Sequence, residues 1–294
     1  MSIRLFAEAD VGRLVEIRNQ VEPEPITVVR FLDALRRAPD QVNLVAESAR
    51  GIYGFARLFA DPIWGGWTTV HVQVAAESRG AGVGRLLWER LLGQVGSETP
   101  LQCYVREGQT TSREWAERRS FAFHALRFQS VLELAGWQPP PARPVVGYEI
   151  VPTEDWDRLY QLYAELITQA PDGASAPGRE WFGRMFEGRC AALVADAGGQ
   201  WLGLTLLEET GSHGYNAFTG VRSEHRGRGL ALNLKLSAIE QARARGLSKI
   251  ITNNLSTNAP MLAVNDRLGY RRLPGIWWLR RPLRGGSGRT PTSA

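Results

Sequence analysis

The stretch VRSEHRGRGLALNLK, Val221 to Lys235, sets two glycines two residues apart among arginines, directly ahead of a run with helical spacing. A near copy, VAAESRGAGVGRLLW, runs from Val74 to Trp88. Each lies between a predicted strand and a predicted helix, where the first-turn N–H groups of the helix have no intrahelical acceptor. Glycines let the backbone turn tightly there, and the helix dipole adds partial positive charge. Such a turn is a seat for an anion, and several converging N–H donors suit a pyrophosphate. Both copies follow several strands and no acidic residue stands at the ribose-binding distance, which excludes the dinucleotide fingerprint; no Gly-Lys-Ser/Thr follows, which excludes a P-loop.

The glycine stretches belong to a longer internal repeat. Asp10 matches Asp155, Arg79 matches Arg226 and Phe121 matches Tyr270, at offsets of 145, 147 and 149 residues in the same order. Between the copies lies WQPPPARPVVG (137–147), whose prolines exclude helix and suit a connector. The expected boundary falls near Pro144, giving domains at 1–143 and 144–283, with a Gly/Ser/Thr-rich disordered tail at 284–294.

Each half reads alike. An amphipathic helix carries Val11, Leu14, Val15 and Ile17, or Trp156, Leu159, Leu162 and Tyr163. A second helix, three strands, the glycine turn, a long helix, another strand, a helix and a last β segment follow. Strands mixed with helices in this order imply a mixed α/β sheet with helices on both faces, built twice.

Composition narrows the function. The 294 residues are 44% hydrophobic and 22% charged, as in globular proteins. The net charge of +5 is small beside 35 basic and 30 acidic residues, and no basic stripe interleaved with aromatics points to nucleic acid. Cys103 and Cys190 read as two reduced core thiols, and the four histidines lack metal-ligand spacing. No stretch reaches the length of a membrane span and no GxSxG elbow is present, so a cytoplasmic protein without a metal is expected.

The loops resemble the GNAT superfamily of acyl-CoA-dependent N-acyltransferases. Its motif of Arg or Gln, two residues, Gly, one residue, then Gly or Ala is matched by Arg79-Gly80-Ala81-Gly82-Val83-Gly84 and by Arg226-Gly227-Arg228-Gly229-Leu230-Ala231. Val74 and Val221 stand five residues upstream, and TNNLSTNAPMLAVNDRLGY (252–270) resembles the family's segment from its fifth strand through its fourth helix. The resemblance implies that loop amides hold the pyrophosphate of acetyl-CoA, that the pantetheine arm lies where two strands splay, and that a neutral primary amine of a small molecule or peptide attacks directly. It implies two tandem domains. The second copy is expected to be catalytic, because the first lacks the Asn-x-x-Met pattern and has Ser120 in place of the closing Gly.

The proton-handling residues are less well marked. Where histone-acetylating relatives carry a carboxylate, Tyr215 stands here and Thr68 in the first copy; Tyr215 is read either as a proton relay or as a sheet aromatic. Glu208 is read as a base acting through water or as a solvated strand end. Asn258 resembles the family's cofactor-arm Asn and also suits a helix N-cap. The family's helix-four Tyr falls at Asn265, which cannot serve as an acid. Glu22, Glu24 and Asp172 suit an amine acceptor; Trp181, Phe182 and Phe186 are read either as a seat for its apolar body or, in preference, as core at helical spacing. A non-catalytic CoA-binding or amine-sequestering module is the alternative, and the acceptor and oligomeric state stay open.

Overall fold

The computed structural model describes residues 1–36, 41–96, 99–141, 146–171 and 174–282. Pro144, Asp172 and the expected tail lie outside them. The chain begins with a strand, where the sequence reading began with a helix. In order it forms β1 (Ser2–Leu5), α1 (Val11–Asn19), α2 (Val28–Arg36), β2 (Gln41–Ser48), β3 (Gly51–Ala60), β4 (Thr68–Val74), α3 (Val83–Leu92), β5 (Leu101–Arg106), α4 (Thr110–Glu117) and β6 (Ala122–Glu133). The second series is β7 (Glu149–Pro152), α5 (Trp156–Ile167), α6 (Arg179–Phe186), β8 (Cys190–Ala197), β9 (Gln200–Thr210), β10 (His213–Val221), α7 (Leu230–Ala244), β11 (Lys249–Leu255), α8 (Ala259–Leu268), β12 (Arg271–Arg272) and β13 (Ile276–Arg281).

The chain divides into two compact units that do not follow the contiguous split at 143/144. The first holds Met1–Asp61, Gly65–Ala125 and the segment from Trp277; the second holds Pro62–Trp64 and Leu126–Ile276. The closing strand of each copy is therefore exchanged. Within the first unit the strands run β1, β2, β3, β4, β5, β13; within the second they run β7, β8, β9, β10, β11 and the later part of β6.

Side chains explain the placement of the exchanged strands. Trp278 of β13 is fully buried, donates its indole N–H to Gln102 Oε1 at 3.0 Å and meets His124 edge-on at 4.7 Å. In the second unit Val131 of β6 packs with Ile251 and Leu273, while Leu132 joins the α7 core. Burying one large aromatic contributes about 2–3 kcal/mol, enough to select a partner strand.

Each sheet is covered on both faces. In the first unit, Val83, Leu87 and Leu91 of α3 pack on Ala56, Leu58 and Val70, while Leu14 and Phe31 pack on Val45 and Phe55 across the sheet. In the second, α7 covers one face and Tyr163, Phe182 and Phe186 of α5 and α6 cover the other. Phe182 and Phe186 are buried and Trp181 is packed against them, all in the core as the helical spacing implies.

The repeats end their last helices differently. Gly269 closes α8 at φ 86°, whereas Ser120, after α4, adopts φ 65°. A side chain in that left-handed region crowds its own carbonyl at a cost of about 1–2 kcal/mol, and exposed Ser120 buries nothing to offset it. Ser120→Gly is expected to stabilise the protein by about 1 kcal/mol, read as a higher urea midpoint at unchanged slope.

Candidate active site

The two glycine turns share one geometry. Gly80 and Gly82 both have φ 81°, and Gly227 and Gly229 have φ 77° and 86°. Gly82 and Gly229 are the N-cap residues of α3 and α7. The first bonds reaching these caps come from Leu86 N–H to Gly82 O and from Asn233 N–H to Gly229 O. The N–H groups of Val83, Gly84 and Arg85, and of Leu230, Ala231 and Leu232, precede them and have no intrahelical acceptor. Nothing lies within 4 Å of a Cβ placed on Gly80, Gly82, Gly227 or Gly229, so each turn is open on the side where an anion would approach.

The other loop residues take distinct parts. Arg79 and Arg226 fold back, each donating its Nε–H to the strand carbonyl five residues earlier, Val74 O at 3.3 Å and Val221 O at 3.0 Å. They clasp the loop. Arg228 reaches Glu224 O at 3.2 Å. Val83 and Leu230 are buried, so what they offer a ligand is main-chain N–H. Ala81 is exposed in the turn.

Ahead of each turn two parallel strands part. Pairing of β4 with β5 covers only Thr68↔Leu101 and Thr69↔Gln102; pairing of β10 with β11 covers His213↔Lys249 through Tyr215↔Ile251. In the second unit the departure coincides with a β-bulge, because Leu207 pairs Asn216 and Leu206 pairs Phe218, leaving Ala217 extra. The β3–β4 register shows no such shift.

Asn216 fills the gap that the bulge opens. Its Nδ2 donates to Thr205 Oγ1 at 2.9 Å and Leu206 O at 3.1 Å, and its carbonyl accepts from Thr252 Oγ1 of β11 at 3.1 Å. Its Oδ1 accepts from Thr219 Oγ1 at 3.1 Å and from Lys235 Nζ at 2.5 Å. Lys235, on α7, is 2% exposed and lies over the Tyr270 ring at 5.2 Å. Burial pushes its pKa down to about 7, so near neutrality this amine can hold or release a proton beside the bulge. The sequence reading passed over Lys235, although a lysine within the apolar stripe of Leu234, Ala238 and Ile239 was the available signal.

The structure brings two of the expected residues together. Tyr215 and Glu208 are cross-strand partners, and Tyr215 Oη accepts from Asn253 Nδ2 at 3.0 Å. Asn258 caps α8, its Oδ1 accepting from Met261 N–H at 3.3 Å. Asn265 is buried and donates to Asn254 Oδ1 at 2.8 Å. Glu22 is bonded to Arg106 and lies 3.7 Å from Arg18, so an ion pair already occupies it. Burial raises the Cys103 thiol to about 12, and neither cysteine forms a disulfide. Among the described residues no group of three or more His, Cys, Asp or Glu is placed to hold a metal, and no helix is long and apolar enough to cross a membrane.

The acetyltransferase (GNAT) family matches residues 156–270, from α5 through the glycine turn to Tyr270. That segment is a GNAT-family transferase domain. The general chemistry of that family is acyl transfer from acyl-CoA to nitrogen. The chain is 25% identical over 240 residues to a mycothiol acetyltransferase of Acidothermus cellulolyticus, covering 74% of this chain and 72% of that one. A GCN5-related N-acetyltransferase from Sphaerobacter thermophilus superposes with TM-score 0.78 at 20% identity, over 97% of this chain and 96% of that one. A tandem GNAT protein from the clavulanic acid biosynthesis pathway superposes with TM-score 0.76 at 23% identity, over 97% and 99% of the two chains. These likenesses establish a tandem GNAT fold.

The buried lysine gives a pH test. The unfolded chain keeps the Lys235 proton up to about pH 10.5 and the folded chain only to about 7, so stability rises with pH between them. Lys235→Met is expected to stabilise the protein at pH 7 and to remove about 2 kcal/mol of the rise between pH 7 and 9, measured by urea unfolding.

Proposed function

We propose that the protein transfers the acetyl group of acetyl-CoA to a primary amine of a small molecule or peptide, with the second unit as the catalytic one. The observation that carries this reading is the coincidence, in one unit, of parting parallel strands, a bulge at Asn216 and Ala217, and an open glycine turn at the head of α7. The turn suits the diphosphate of CoA, through the amides around Gly227, Arg228, Gly229, Leu230 and Ala231. The parted strands suit an extended arm that pairs with strand backbone. Arg226 and Val221 shape the loop, and Asn258, its Oδ1 occupied by the cap, keeps its Nδ2 to donate to the arm.

The chemistry asked of this chain is modest. Holding a neutral amine against a thioester replaces an encounter in solution, and backbone N–H groups at a bulge are placed to meet developing negative charge on the thioester oxygen. The proton leaving the amine is assigned to Glu208 through water, with Tyr215 across the ladder as the relay. Asn265 stands where the family's acid would be, so the leaving thiolate takes its proton from water.

In the first unit Arg79, Gly80, Ala81, Gly82, Val83 and Gly84, below Val74, form the same turn without the bulge. This supports a second CoA site that does not turn over. Calorimetric titration of acetyl-CoA into the full chain is expected to give two sites, with one lost in Gly82→Val and the other in Gly229→Val. Each variant pays a backbone cost of about 1–2 kcal/mol at its positive φ, so folding is checked by circular dichroism. Acetylation across an amine panel is expected to vanish in Gly229→Val and persist in Gly82→Val. Binding without turnover in the wild type would favour the non-catalytic module that Asn265 suggests.

A further inference from the structure

The sheet face under α1 and α2 in the first unit differs in kind from its counterpart under α5 and α6. In the second unit Tyr163, Leu206 and Phe218 fill it: Leu206 pairs Phe218 across the strands, and the Tyr163 and Phe218 rings lie 4.9 Å apart. The matching positions of the first unit are Arg18 on α1 and the cross-strand pair Arg57 and His71. Apolar packing was available to this fold, and the first unit has placed charge there instead.

The charges gather around one carboxylate. Arg106, the last residue of β5, bonds Glu22, whose other oxygen lies 3.7 Å from Arg18 Nη2. Arg57, 6% exposed, donates from Nε to Asn43 Oδ1 at 3.1 Å and from Nη2 to Gln41 Oε1 at 2.7 Å, both neutral acceptors. The Phe31 and Phe59 rings stand 5.3 and 5.4 Å from its guanidinium carbon. Arg30 on α2 adds to the positive field at Arg18. His71, between Phe59 and Tyr104, carries no charge at neutral pH: burial, then Arg18 and Arg57, push its pKa down to about 3.

Two buried N–H groups in this cluster, Arg18 Nε and Arg106 Nη1, have no hydrogen-bond partner among the described residues. A buried charged donor left without an acceptor is costly, and a guanidinium edge matches an oxyanion in shape as well as charge. Arg18 and Arg106 share Glu22, and Arg57, bonded only to neutral acceptors, adds its charge to the field at Arg18, so two positive charges are left to be answered. The Arg18 side chain is 23% exposed, which gives the cluster a way to solvent.

We propose that this face of the first unit binds a small dianionic oxyanion, a phosphate monoester or a dicarboxylate, held by Arg18, Arg57 and Arg106. The site is separate from the glycine turns and does not rest on the acetyl-CoA reading. Glu22 sets the charge balance and aligns Arg106. The unpartnered N–H groups are the donors that close on the ligand.

Titration calorimetry of the full chain with inorganic phosphate and with succinate, at constant ionic strength in chloride, tests this. One site is expected for at least one probe, and the tighter probe names the source of the oxyanion. Arg18→Gln and Arg106→Gln are each expected to weaken it at least tenfold. Gly82→Val and Gly229→Val, which alter the other anion seats, are expected to leave it unchanged. Should a neutral variant fail to fold, Arg18→Lys keeps the charge, loses the fork and is expected to weaken binding as well. Failure of folded wild type to bind either probe overturns the proposal, as does binding that the glycine variants abolish and the arginine variants spare.

Discussion

Backbone polar groups taken out of water must find partners, and parallel strands that part company break this rule unless something intervenes. In the second unit the Asn216 side chain intervenes. It reaches the Thr205 hydroxyl and the Leu206 carbonyl, while Thr252 bonds its main chain from the departing strand. The Thr252 bond spans β10 and β11 where their ladder ends, and the Asn216 amide satisfies the β9 groups that the bulge leaves. Lys235, held by the same amide, ties α7 to the bulge, so the helix that begins at the glycine turn and the strand that ends at it are braced together.

The duplication kept the backbone and released the side chains. The glycine turns agree within a few degrees, and the Arg clasp is the same in both units. Gly54 and Gly203 both press against the next strand, where a Cβ would stand 2.7 Å from Gln73 O and 2.6 Å from Gly220 O. Against that shared frame, Trp88 of the first unit stands where the second has Lys235, and Arg18, Arg57 and His71 stand where it has Tyr163, Leu206 and Phe218. One unit concentrates buried polarity under α7 and the other under α1.

What the sequence made legible was local. Glycines spaced two apart before a helix declare their own backbone angles, and apolar residues spaced as Leu14, Ile17 or Phe182, Phe186 declare a buried face. The fold class and the turns followed from these. Tyr215 and Glu208 were named separately, and only the register made them partners. A count of six residues back from Val221 passes through Ala217, which has no partner on β9, so the same count in β4 stops elsewhere along its strand. The arginine cluster was illegible for a different reason: its members come from α1, β3 and β5, and no short window contains two of them. The strand exchange was hidden too, since a β-strand's sequence says which faces are apolar and little about which edge it joins.

That exchange has a consequence for synthesis. A ribosome finishing β5 at Arg106 has made most of the first unit, yet Trp278, which fills its centre beside Gln102 and His124, is still some 170 residues from being translated. At bacterial or eukaryotic elongation speeds the wait is roughly ten to thirty seconds, during which the open edge of β5 is exposed. The nascent first unit must therefore remain incomplete until β13 emerges, and its early strands are required to mature together with that late one.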